Sequence, residues 1–314
     1  MITSRFSYYR PTDIGEAVRL YQASQGAAVY LSGGTDLIPR MKLGLEKPQA
    51  VIDLKGLGSL RRVEDQGDWI RIGPLARLFE LKKNPLIRAY APVLTASLEA
   101  TSCESLQMRG TIGGNLLQNT RCLFYNQSEF WRRSKGFCLK MGGERCNAVP
   151  GAKRCFANYS SDNAAALCSL SAEVEFYGPE GMRRMPLEHL YADRADRPFH
   201  VQPGEILSAI FIPKKKRAGG YEKLRIRGAI DYPLLGVALT VADGKGRLVV
   251  GALGPKPLVF ETSKLSRRAV METAQAVLKQ VRPVGNTVVE PEYRKQMIPV
   301  LVGRLADRVI KGAK

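Results

Sequence analysis

The chain has 314 residues, 45% of them apolar, which is enough for a buried core and unlike the composition of a disordered segment. Its 48 Lys and Arg against 29 Asp and Glu leave +19, an excess that points to an acidic partner: nucleic acid, anionic lipid or an acidic protein. No window approaches a run of about 18 uncharged apolar residues, and Met1 to Arg10 lack the apolar centre of a signal peptide, so a soluble cytoplasmic protein without membrane attachment is expected. In that compartment thiols stay reduced, and the six cysteines read as ligands or core residues rather than disulfides.

Thr12 is expected to open an amphipathic helix with Ile14, Val18 and Tyr21 on one face and Gly26 as its stop. A short strand at Ala28–Leu31 then runs into Gly33-Gly34. Ala50–Leu54 reads as a buried strand, and Trp69–Ile72 alternates as a strand does. Glu173–Tyr177, the turn Gly178-Pro179-Glu180-Gly181 and Met182–Met185 form a predicted hairpin, as do Leu235–Ala242 and Leu248–Ala252 around Asp243-Gly244-Lys245-Gly246. Helical periodicity returns at Val270, Ala274, Val277, Leu278 and Val281, and again near the C-terminus. Without a regular βαβ alternation the pattern predicts an α+β fold. Pro213 followed by Lys214-Lys215-Lys216-Arg217 and Gly219-Gly220 marks a boundary near 217, dividing the chain into 1–217 and 218–314.

Two segments carry chemistry. In Leu31-Ser32-Gly33-Gly34-Thr35-Asp36-Leu37, paired glycines after a strand let backbone N–H groups converge on an anion. Such a pair on its own can equally be a plain turn. Arg109-Gly110-Thr111-Ile112-Gly113-Gly114-Asn115 repeats the arrangement, so that both turns could line one nucleotide. No G-x-G-x-x-G follows a strand, and there is no Walker lysine and no H-E-x-x-H, which leaves the common dinucleotide, NTPase and metalloprotease readings without support.

The stretch 121–159 stands apart, with little periodicity and four cysteines: Cys122, Cys138, Cys146 and Cys155. A long segment of this kind in a compact domain is usually functional or disordered. Four thiolates satisfy a tetrahedral zinc or hold a 4Fe–4S cluster, and their spacing alone leaves both open. A zinc-stabilised nucleic-acid-binding protein is a rival suggested by charge and cysteines, but it leaves both glycine turns unexplained. Cys103 and Cys168 read as buried structural cysteines.

The order "LSGGTDL", the Ile70–Leu81 segment, "RGTIGGN" and Ser161-Asp162 resembles the FAD-binding subunit of the xanthine oxidase (molybdenum hydroxylase) family over nearly the whole chain. Gly204-Glu205-Ile206-Leu207, Tyr221-Glu222-Lys223, Arg227 and Asp231 resemble its C-terminal domain. The resemblance implies a two-subdomain flavin-binding fold of the vanillyl-alcohol-oxidase (PCMH) type over 1–217, and a smaller α+β domain of the CO dehydrogenase flavoprotein type over 218–314. It implies non-covalent FAD, because neither His189 nor His200 matches an attachment motif. Gly33, Gly34, Thr35 and Asp36 match the first diphosphate turn, and Thr111, Gly113, Gly114 and Asn115 the second. Asp162 matches a carboxylate near the cofactor, and Leu207 and Lys223 match residues lining the flavin ring, although Lys223 also reads as a surface lysine.

The departure from the family pattern is the insertion 121–159. It resembles that of the flavin subunit of 4-hydroxybenzoyl-CoA reductase, which carries an extra 4Fe–4S cluster on such a loop, and beside a flavin a cluster offers electrons a route that zinc does not. The resemblance implies a molybdopterin-bearing large subunit and a 2Fe–2S small subunit, assembled as a dimer of heterotrimers. It also implies electron supply from an acidic ferredoxin for reductive removal of the phenolic hydroxyl of 4-hydroxybenzoyl-CoA. A flavin subunit of another hydroxylase of the family, with outward electron flow, is the alternative.

Overall fold

The computed structural model describes residues 5–262, 264 and 266–312. Three sheets divide the chain. Strands β1 (Ser7–Tyr9), β2 (Ala28–Leu31) and β3 (Ala50–Asp53) form a parallel sheet in the order β1-β3-β2. The helix Ile14–Ala23 makes the first crossover, and its cap is Asp13, not Thr12: the Asp13 carboxylate accepts from the Glu16 N–H at 2.7 Å, while Thr12 donates to the Glu16 side chain. Ala17 and Val18 bury that helix against Ile52 and Leu54.

The second sheet is antiparallel and contains β4 (Val63–Gln66), β5 (Trp69–Ile72), β6 (Glu173–Gly178), β7 (Gly181–Pro186) and β8 (Ile206–Pro213), ordered β4-β5-β8-β6-β7. The hairpin β6–β7 lies where alternation predicts it. At the centre β8 is buried along almost its whole length, which explains its unbroken apolar run Ile206-Leu207-Ser208-Ala209-Ile210-Phe211-Ile212. Helices Pro92–Ala100, Ile112–Leu116 and Asp162–Ser169 join this sheet in the largest core cluster.

The third sheet runs β12-β11-β10-β9, with β9 (Ala218–Leu224), β10 (Leu235–Ala242), β11 (Lys245–Gly251) and β12 (Leu258–Thr262) all antiparallel. Asp243 and Gly244 alone make the β10–β11 turn, both at positive φ (51° and 73°), as a two-residue hairpin turn requires. One face packs on the helices Arg267–Gln280 and Pro291–Gly312. From the other face Tyr221, Ala238 and Val249 enter the core of the preceding unit. The architecture is α+β, with the parallel first sheet as a local exception. Among the described residues no helix is long and apolar enough to cross a membrane.

Candidate cofactor site

The two glycine turns meet. The first leaves β2 and the second enters the helix Ile112–Leu116, and a Cβ on Gly33 would lie 2.2 Å from the Arg109 carbonyl oxygen. Glycine is required there because the two backbones touch. Gly34 follows at φ +79°, in the left-handed region that a side chain strains. Ser32 and Thr111 share a hydrogen bond between their hydroxyls at 2.6 Å, which fixes the spacing of the turns.

A long cleft runs through this junction. Toward one end its walls are largely apolar, among them Tyr30, Leu54, Leu60, Leu75, Ile206 and Leu207. Toward the other they are polar, with Gln107, Asn115, Gln118, Asp162, Asp231 and Tyr232. Thr35, Asp36, Thr111 and Gly114 line both, so the ends form one channel with the two turns at its waist.

The turns differ in what they offer. Among the described residues the N–H groups of Gly33, Gly34, Thr35 and Asp36 donate to no protein acceptor. Those of the second turn are already used: Ile112 donates to the Ala76 carbonyl, Gly113 to the Pro74 carbonyl at 2.8 Å, and Gly114 to the Thr111 hydroxyl at 3.2 Å. The first turn therefore supplies free N–H donors, and the second a floor without side chains. Gly113 owes its identity to Pro74, 2.6 Å from a would-be Cβ, whereas a Cβ on Gly114 would meet only the hydroxyl groups of Thr111 and Ser32. Asn115 is oriented by Ser161 (2.6 Å) and Asn163 (2.9 Å), both donating to its Oδ1, which leaves its amide nitrogen for the cleft. Leu37 lines the apolar end, while Leu31 lies behind it against Met41 and Val51.

Asp162 opens the helix Asp162–Ser169 and reaches the polar end of the cleft. It accepts from the Tyr221 hydroxyl at 2.8 Å and pairs with Lys223 at 3.1 Å. Burial pushes its carboxyl above the ordinary range against the opposing pull of the Lys223 ammonium and the Tyr221 hydroxyl. Lys223 is neither a surface residue nor a cleft wall. Its ammonium is enclosed by Asp162, the Ala100 carbonyl (3.1 Å) and the Asp231 carbonyl (2.8 Å), one acceptor for each of its three protons. It supports Asp162 from behind. Leu207 does line the cleft, but at the apolar end, so the two residues expected at one ring occupy different places. Tyr30, Arg40 and Tyr232 escaped the sequence reading. Arg40, whose buried Nε has no partner, pairs with Asp36 and Glu46 beside the first turn.

The insertion 121–159 is ordered and clamped on two sides. Its neck is a bridge in which Arg121 and Asn158 exchange backbone hydrogen bonds, and within it lies a helix, Glu129–Lys135. Arg132 is 2% exposed; its guanidinium donates to the carbonyls of Leu43 (3.1 Å) and Gly44 (3.3 Å) in the first unit. Asn286 of the C-terminal unit accepts from the Leu123 N–H and from the Asn158 amide.

Inside, Cys122, Cys138, Cys146 and Cys155 line one small cavity with Lys140. Burial raises the Cys122 thiol to about 11 and raises that of Cys155. Among the described residues no three His, Cys, Asp or Glu side chains stand close enough to share one metal ion. Cys103 corrects the expectation of burial: it is partly exposed, its thiol lowered by hydrogen bonds from Ser105 and from the Leu106 N–H. Cys168, 2% exposed, belongs to the core.

The family model described as the FAD binding domain in molybdopterin dehydrogenase matches residues 4–215. The chain belongs to that family and binds FAD. It is 35% identical over 288 residues to the aldehyde oxidoreductase FAD-binding subunit PaoB of Escherichia coli K12, covering 87% of this chain and 88% of that one. It is 25% identical to the carbon monoxide dehydrogenase medium chain of Afipia carboxidovorans over the full length of both. The structure superposes on a chain of the reconstituted CO dehydrogenase from Oligotropha carboxidovorans with a TM-score of 0.80, at 25% identity and covering 99% of each.

Proposed function

We propose that this chain is the flavin-bearing medium subunit of a molybdenum hydroxylase complex, passing electrons between partner subunits and an external carrier. The observation that carries the reading is the single channel with unpartnered N–H groups at its waist. FAD lies extended along it, the diphosphate on the N–H groups of Gly34, Thr35 and Asp36 over the bare floor of Gly114. The adenine takes the apolar end with Leu207 and Tyr30. The flavin ring takes the polar end, where Asn115, Asp162, Asp231 and Tyr232 meet the hydrogen-bonding edge that the ring presents. Bound there, FAD supplies the exchange of single electrons and electron pairs.

The partners are a molybdopterin-bearing large subunit and a 2Fe–2S small subunit, in keeping with the medium-chain designation of the CO dehydrogenase relatives. The dehydrogenase relatives are named for an oxidation, which supports outward electron flow from an oxidised substrate over the reductive dehydroxylation of 4-hydroxybenzoyl-CoA. The reductive reading keeps one observation in its favour, the cysteine-bearing insertion. In either direction Cys122, Cys138, Cys146 and Cys155, which line one cavity, hold a 4Fe–4S cluster. The exposed cations of the insertion, Arg133, Lys135, Arg145, Lys153 and Arg154, make an acidic carrier such as a ferredoxin the external partner.

The test is an anaerobic absorption spectrum of the complex with flavin, iron, sulfide and zinc assays. Stoichiometric flavin, with iron and sulfide in the ratio of a 4Fe–4S cluster beyond those of the small subunit, is expected. Flavin-free protein overturns the channel assignment, and zinc in the cysteine cavity overturns the cluster.

A further inference from the structure

Arg121 stands where the insertion, the first turn and the C-terminal unit meet. Its Nη1 lies 3.1 Å from Asp36 Oδ1, and its guanidinium carbon lies 3.9 Å from the centre of the Tyr232 ring. The backbone of Arg121 is fixed by the pairing with Asn158, and the next residue, Cys122, lines the cysteine cavity. Asp36 and Tyr232 both line the channel, whereas Arg121 lies behind them.

Asp36 presents a difficulty at this place. Its N–H belongs to the turn that receives an anionic diphosphate, yet its side chain is itself an anion. Arg40 is 3.8 Å from the other carboxylate oxygen and is committed to Glu46, so Arg121 is the nearer counter-charge. The same planar cation stacks on Tyr232, a geometry that a lysine ammonium reproduces poorly.

We propose that Arg121 is a positioning residue for the flavin: it neutralises Asp36 beside the diphosphate and holds Tyr232 as the wall of the flavin end. Through it the cysteine-bearing insertion reaches the cofactor channel. The inference rests on FAD occupying the channel as proposed above.

The experiment measures FAD affinity and flavin midpoint potential in the deflavinated and reloaded complex carrying R121A, R121K, D36N and R121A with D36N. R121A weakens FAD binding by about tenfold, the effect expected from losing one charge-assisted hydrogen bond. Adding D36N restores most of that loss, because the uncompensated carboxylate is gone; a merely structural arginine would not be rescued by removing a charge. R121K keeps the affinity but shifts the midpoint potential, because the ammonium still faces Asp36 while the stack on Tyr232 is lost. Wild-type affinity in R121A, or failure of D36N to rescue it, overturns the neutralising role. An unshifted potential in R121K overturns the Tyr232 role. Wild-type complex that takes up no FAD would overturn the underlying cofactor reading as well.

Discussion

Arg121 and Asn158 face each other across the neck of the insertion, each N–H donating to the other's carbonyl at 2.7 and 2.8 Å. The ends of the loop therefore enter and leave the scaffold side by side. Excising Cys122–Ala157 and joining the neck with a short Gly-Ser turn should leave a folded flavoprotein without the additional iron. Arg121 and Asn158 must be kept, since the first touches Asp36 and the second bonds Asn286. Iron content beyond that of the small subunit after excision would refute the assignment of the four cysteines.

The glycines of the two turns should fail in different ways. Gly114→Val fills the floor of the channel, so FAD is lost, while its Cβ meets the side chains of Thr111 (3.1 Å) and Ser32 (3.9 Å) rather than backbone, so the apoprotein stays folded with a small loss of stability. Gly33→Ala drives a methyl group into the Arg109 carbonyl and should lower stability by about 2 kcal/mol or more, besides losing FAD. Differential scanning fluorimetry with flavin released by dilution separates the two.

Charge reversal on the insertion helix should also divide. Arg133 is exposed and pairs with Glu129, and Lys135 is exposed near the end of the same helix. Arg133→Glu with Lys135→Glu should slow electron exchange with an acidic carrier several-fold while a small artificial carrier is unaffected. The difference should vanish at high salt, since the screening length is already about 8 Å at 0.15 M. Arg132→Glu should instead cost about 3 kcal/mol of stability, because it places a carboxylate among carbonyl oxygens. Stopped-flow reduction and thermal melts check the two outcomes.

Acid stability should depend on Glu205. Burial would raise its carboxyl, but two hydrogen bonds from Arg183, at 2.7 and 2.9 Å, and one from the Gln202 N–H outweigh it, so its pKa is lowered on folding. A depressed carboxyl adds stability above its unfolded pKa and loses it as pH falls through the folded value. Glu205→Gln should therefore cost about 1–2 kcal/mol at pH 7 and progressively less below about pH 4.5. Parallel denaturation curves for both proteins at pH 7 and pH 4 would test this; an equal difference at both would reject it.

What the residues disclosed in sequence was mostly local. Both glycine turns and the hairpins β6–β7 and β10–β11 announce themselves because turn chemistry is written in adjacent residues. The four cysteines stood out by count, and their gathering around one cavity follows from the neck that sequence does not display. Lys223 was misplaced because its three acceptors come from residues 100, 162 and 231, distant along the chain. Nothing beside Arg132 in sequence marks it as buried, because the carbonyls that receive its guanidinium belong to Leu43 and Gly44. Strand β1 went unnoticed since Ser7, Tyr8 and Tyr9 are all exposed and carry no alternation. Its parallel pairing with β3 depends on partners more than forty positions away, as with Ser7 opposite Ala50.

Strand β8 lies between β5 and β6, so the central sheet closes only when Ile206–Pro213 returns to Trp69–Ile72. Everything between them, the insertion included, is one loop from the standpoint of that closure. The entropic cost of closing a loop grows with the logarithm of its length. Adding residues 121–159 to a loop already long costs only about 0.3 kcal/mol in that estimate. A cysteine-bearing segment at this point therefore carries almost no penalty in loop closure. The same segment inserted in the two-residue turn between β10 and β11 would multiply the length of a minimal loop and cost several times more.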